Sequence, residues 1–196
     1  MNTTISALNY TNSGSGVWHD TDIALGVTLT ATNVIIGGIA ANVVTEVAMT
    51  DAGTFAVNGN FSIGNTPSAN EVCVVDLSGL SNFVQNAGSG SFTVGTANDS
   101  IANVSLAASN NITVGTLNEN VNDTSSSSTT TFTLGAATNV INAGTINIAA
   151  GRNTTTVSFP AGSPGGLRLR GVGGTDTSLG NMTLGYGRHK SRSTPF

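Results

Sequence analysis

One four-residue element constrains this chain more than any other feature: an apolar residue, Ser or Thr, a second apolar residue, then Gly. It reads Phe61-Ser62-Ile63-Gly64, Phe92-Thr93-Val94-Gly95, Ile112-Thr113-Val114-Gly115, Phe132-Thr133-Leu134-Gly135 and Met182-Thr183-Leu184-Gly185. Gly95, Gly115 and Gly135 are spaced by 20 residues, whereas Gly64 to Gly95 is 31 and Gly135 to Gly185 is 50. The spacing predicts a repeat of about 20 residues with insertions. A five-residue echo supports it: Ala31-Thr32-Asn33-Val34-Ile35 recurs as Ala137-Thr138-Asn139-Val140-Ile141.

Each element has period 2, the alternation of a strand, and is too short for a helix. The same alternation marks Val27-Thr28-Leu29, Val104-Ser105-Leu106, Ile146-Asn147-Ile148, Val157-Ser158-Phe159 and Leu167-Arg168-Leu169. Gly, Asn, Asp and Ser separate these runs, and those residues build turns. Residues 39–49 show both a helical i+4 spacing and strand alternation. Their β-branched Val content favours a strand. Gly, Thr, Asn and Ser supply 98 of the 196 residues and charged residues only 8%. That composition argues against a Leu-rich or charge-laced helical bundle, because strong helix formers are scarce. A single cysteine, Cys73, excludes a disulfide scaffold and a multi-cysteine metal site.

Short strands with one apolar face each, recurring at a fixed period, fit an all-β parallel β-solenoid with coils of about 20 residues. Such a coil cannot bury its apolar face alone, and stacking builds a continuous thin core. Asn and Thr repeated along the axis can pair as ladders. The competing all-β reading is an antiparallel sandwich, and the equal spacing of like motifs favours the solenoid. Residues 1–187 form one solenoid domain in this reading, and 188–196 form a basic, flexible tail.

The C-terminal half carries a resemblance. Leu134-Gly135, Asn139-Val140-Ile141, Ile146-Asn147-Ile148 and Gly151-Arg152 follow one another as a Leu-Gly turn, an Asn-x-Ile strand, an Ile-x-Ile strand and a Gly-Arg turn. Residues 92–187 in this respect resemble bacterial extracellular β-strand-repeat proteins of the autotransporter-associated type. The resemblance implies a β-helix passenger or fibre, secreted or at the cell surface, of large size and poorly known ligand. No positively charged, apolar signal segment follows Met1, so the expectation is a segment or a small relative of such proteins. No stretch approaches the roughly 18 apolar residues of a membrane-spanning helix.

Few residues suggest chemistry. In Trp18-His19-Asp20-Thr21-Asp22, two carboxylates could share a hard cation and His19 could serve as a base. The plainer reading is a polar turn, with Trp18 capping an open end of the core. Asn118-Glu119-Asn120-Val121-Asn122-Asp123 reads as an oxygen-rich loop. Gly171-Val172-Gly173-Gly174 lacks the Lys-Ser/Thr of a phosphate loop. With only His19 and His189, a Ser-His-Asp triad has few ways to form. The expectation is therefore a non-enzymatic protein without metal or cofactor. Thr93, Thr113, Thr133 and Thr183 occupy one position of the repeated element, so a 20-residue coil would align them in a column. A flat Thr face of that kind could bind ice or a polysaccharide.

Charge is separated along the chain. Nine of the ten acids and none of the six Lys and Arg precede Arg152, so residues 1–151 carry −9 and 152–196 carry +5. The net charge of −4 argues against nucleic acid as a partner. The basic run of Arg188, Lys190 and Arg192 and the opposed signs of the two parts suit head-to-tail association. Solenoid ends expose unpaired strand edges, and a contact that does not close gives a filament. The functional expectation is an extracellular structural protein assembling end to end, with the Thr-face binding module as the alternative.

Overall fold

In a computed structural model, residues 2–14, 16–64, 71–95, 101–120, 129–149 and 154–185 are described. Among them fifteen strands follow one another: β1 (Thr3–Asn12), β2 (Val17–Asp22), β3 (Thr28–Gly38), β4 (Val44–Thr50) and β5 (Thr54–Val57). Then come β6 (Phe61–Ile63), β7 (Val72–Asp76), β8 (Asn82–Val94), β9 (Ile101–Ser105) and β10 (Ser109–Glu119). The chain continues through β11 (Thr129–Thr133), β12 (Thr138–Ile148), β13 (Thr154–Ser158), β14 (Gly166–Arg170) and β15 (Asn181–Leu184). No helix occurs among the described residues.

The strands stack as two parallel sheets of a β-solenoid. The larger, sheet A, follows the order β1-β3-β5-β8-β10-β12-β14, with β6 and β15 continuing the rungs of β5 and β14. Sheet B runs β2-β4-β7-β9-β11-β13. Sheet A has two arms: the first half of β12 pairs with β14, and its second half with β15. The chain therefore winds first arm, second arm, sheet B, and repeats. The 39–49 region gives a strand, β4, over its second half.

The solenoid is as the alternation predicts, but the coil is about 28 residues long instead of 20. Register partners in successive rungs, such as Thr54 and Asn82 or Asn110 and Asn139, lie 28 and 29 residues apart. The 20-residue spacing has a local origin. Phe92-Thr93-Val94-Gly95 ends on the second arm of sheet A, Ile112-Thr113-Val114-Gly115 on the first, and Phe132-Thr133-Leu134-Gly135 on sheet B. Each bend uses the same inward–outward–inward–Gly grammar, so a partial trip round the coil looks like a whole one. The Ala31–Ile35 echo is likewise out of register, since Ala31 belongs to the column of Ile141.

True columns run through the interior. One holds Leu8, Val34, Phe61, Phe92, Leu117, Ile146 and Met182. Beside it, Phe55 and Phe83 stack in register. The four phenylalanines of these two columns pack with ring centroids 5.1–6.2 Å apart, mostly edge to face, the geometry aromatic quadrupoles favour. All four are fully buried.

The bends need special residues. Gly64, Gly95, Asn120, Ala149 and Gly185 close the second arm, each with φ between 51 and 61°. Each of these residues donates its N–H to a carbonyl of the rung before, as Gly95 does to Ile63 O at 2.8 Å. That left-handed column favours glycine, with Asn next best. Between the two arms the backbones touch: a Cβ on Gly144 would lie 2.9 Å from Gly115 O. The expected side-chain ladders are present. Asn110 Nδ2 donates to Asn139 Oδ1 at 2.7 Å, and Asn147 Nδ2 to Asn118 Oδ1 at 2.9 Å. Asn139, fully buried, also accepts from Gly135 N and donates to Gly135 O and Gly166 O.

Candidate functional site: the ends of the solenoid and its outer columns

The four threonines do not form one column. Thr93 and Thr183 share an outward column on the second arm, with Asn118 and Asn147 between them and Ser62, Ile35 and Asn9 beyond. Thr113 lies on the first arm between Asn86 and Asn142, and accepts from Asn142 Nδ2 at 3.0 Å. Thr133 lies in sheet B between Ser105 and Ser158. The alignment required a 20-residue coil, and the 28-residue coil disperses it over three positions. Paired threonines do occur elsewhere, with Thr129, Thr130 and Thr131 of β11 in register with Thr154, Thr155 and Thr156 of β13. Arg188, Lys190 and Arg192 lie outside the described residues.

The Trp18–Asp22 segment is a strand, not a turn. Its alternation sends Trp18, Asp20 and Asp22 outward and His19 and Thr21 inward. Trp18 is 65% exposed and does not cap the core. The capping group is instead Tyr10. Its hydroxyl is 2.6 Å from Thr21 Oγ1, and its ring lies 5.2 Å from the His19 imidazole. Burial raises the Tyr10 pKa, opposed by the Thr21 hydrogen bond. Asp22 accepts from Thr50 Oγ1. Among the described residues no group of three His, Cys, Asp or Glu is placed to hold a metal.

Asn118 and Glu119 are also strand rather than loop. Asn118 faces outward and Glu119 inward, and Asn120 makes the left-handed turn; residues 121–128 lie outside the described residues. Glu119 stands in an interior column between Val94 and Ile148. It is fully buried, neither carboxyl oxygen has a hydrogen-bond partner among the described residues, and burial raises its pKa well above the ordinary glutamate value. Charging a carboxyl in such surroundings costs more than keeping it protonated. The sequence reading missed this group; the alternation Leu117-Asn118-Glu119 carried the signal.

A second interior carboxylate, Glu71, has a structural task. Its Oε1 accepts from the Gly38 amide and lies 3.1 Å from Cys73 Sγ. Burial, reinforced by the neighbouring Glu71 charge, pushes the Cys73 thiol pKa up. Cys73 is thus a buried thiol held protonated, without the electropositive surroundings of a reactive cysteine.

The two ends differ. At the N-terminal end the interior is closed by Tyr10, His19 and Thr21, with Ile5 and Leu8 of β1 partly buried against the core. At the C-terminal end sheet A reaches one rung beyond sheet B among the described residues. Among the described residues, nothing stands opposite the inward side chains of that last rung. Leu167, Leu169, Met182 and Leu184 are 41–63% exposed, and Val157 of β13 is 39% exposed. They line an apolar groove of about 320 Å³ whose wall includes Glu119 and Thr155. On its outer side Arg170 makes two bonds to Asp176, through Nε at 2.8 Å and Nη2 at 2.7 Å. These bonds, with Arg168 nearby, hold the Asp176 carboxyl below the usual carboxylate range.

No family model matches this chain, and neither the curated proteins nor the solved structures contain a match.

Proposed function

We propose that this protein is a non-enzymatic structural element of a surface or filament, which assembles by stacking solenoid ends. The observation that carries the reading is the C-terminal end, where five large apolar side chains of the last rungs surround a groove that no other described residue fills. Exposed contiguous apolar surface on a water-soluble chain marks an interaction site, and a free strand edge beside it supplies backbone groups for pairing. The charge separation along the chain supports association of unlike ends, and the resemblance of residues 92–187 to autotransporter-associated repeats supports a cell-surface setting. The dispersal of Thr93, Thr113, Thr133 and Thr183 removes the flat array on which a binding-module reading depends. Electron microscopy of the purified protein over a range of concentrations tests the proposal. Rods whose length grows with concentration are expected; uniform single particles of one solenoid length at every concentration would contradict it.

A further inference from the structure

Resting on that end-to-end reading, we infer that the joint has one register: β14 and β15 of one copy pair in parallel with β1 of the next, Met182 stacking on Leu8 and Leu184 on Tyr10. The interior columns fix this choice. Met182 and Leu8 are the two ends of a single column, as are Leu184 and Tyr10, and Leu169 and Ile5. A second copy set one rung beyond β15 continues these three columns with a large apolar or aromatic residue, while the column of Leu167 meets Thr3. A slip of one residue would turn Leu8 outward and set Asn9 over the groove, because side chains alternate with period 2. Ile5 and Leu8 are only partly buried at the free N-terminal end, and Leu167, Leu169, Met182 and Leu184 are exposed at the other. Each end thus has apolar surface that the other covers. The charges nearest the two ends are opposite in sign: β2, which follows β1, carries Asp20 and Asp22, and β14 carries Arg168 and Arg170, with Asp176 beside them. Sheet B is one strand shorter at the C-terminal end among the described residues, so the seam runs through sheet A alone.

The outward partners of this register are Thr183 and Asn9 of the next copy, both exposed and both ends of one column. Within one copy they are six rungs apart, about 29 Å at the spacing of neighbouring strands, too far for a disulfide. The test uses the full chain with Cys73→Ala, carrying Asn9→Cys and Thr183→Cys together or singly, oxidised at a concentration where microscopy shows rods. The double variant should give a covalent ladder of dimers, trimers and longer species, and neither single variant should give covalent dimers. Adding Leu184→Glu to the double variant should abolish the ladder. Rods without a ladder, or a covalent dimer from Thr183→Cys alone, would overturn the register while leaving end-to-end assembly standing. Particles that never associate would overturn the assembly reading itself.

Discussion

The first and last rungs of the solenoid are built from the same strand grammar, yet among the described residues only one is capped. At the N-terminal end Tyr10 reaches across to Thr21 and lies against His19. Side chains with a polar tip and a flat apolar body thus meet both core and solvent. At the C-terminal end the corresponding column ends on Leu184, 63% exposed and without a partner strand from sheet B among the described residues. A capped end can tolerate water. An end whose inward positions are Leu, Met and Val is stable in water only at the cost of its exposed apolar area, roughly 25 cal/mol for each Å² left uncovered. Repeat folds need atypical terminal units for this reason, and here one terminus has such a unit among the described residues.

Four substitutions sharpen or break that contrast. The largest effect is expected from hollowing the interior that both ends share: Phe61→Ala removes a ring packed against Phe55, Phe83 and Phe92. It should cost about 3–5 kcal/mol in chemical denaturation. Glu119→Leu, next to the groove, should have the opposite sign. The raised pKa means the folded state holds a proton on Glu119 at pH values where the unfolded chain has lost it. Stability from this group is therefore fully present below the unfolded glutamate value and falls as pH rises above it, up to the raised folded value. The variant should be more stable than wild type at neutral pH by about 1–3 kcal/mol. Its advantage should shrink as the pH is lowered toward 4 and grow as it is raised, measured by denaturation midpoints across that range. A constant difference would contradict the account. At the capped end, Tyr10→Phe deletes the hydroxyl bonded to Thr21 and should lower stability by about 1 kcal/mol. The smallest effect on the monomer is expected from Leu184→Glu, within about 0.5 kcal/mol of wild type as for other exposed positions, although the same change should eliminate association.

Much of this was legible in the residues. Period-2 alternation located the strands, turn residues located the bends, and the repetition of Asn and Thr foretold axial ladders such as Asn110–Asn139 and Asn118–Asn147. Coil length was not legible, because the tetrad ending in Gly serves at three different bends of the coil. Only Gly64, Gly95 and Gly185 among the five tetrad glycines share the left-handed column. The other members of that column, Asn120 and Ala149, lie where the tetrad is absent. A polar side chain in the column also disguised the interior. Glu119 sits between Asn118 and Asn120 and precedes a Ser-rich stretch, so its composition reads as a surface loop even though its strand position points inward. Trp18 shows the converse, a large apolar residue turned outward by its place in the alternation.

Adhesion through the C-terminal end is tested most directly by sedimentation velocity of wild type beside Leu184→Glu. Wild type should show a weight-average sedimentation coefficient that rises with concentration, while Leu184→Glu should sediment as a 19.6 kDa monomer throughout. Identical behaviour of the two proteins, whether both associate or neither does, would contradict it.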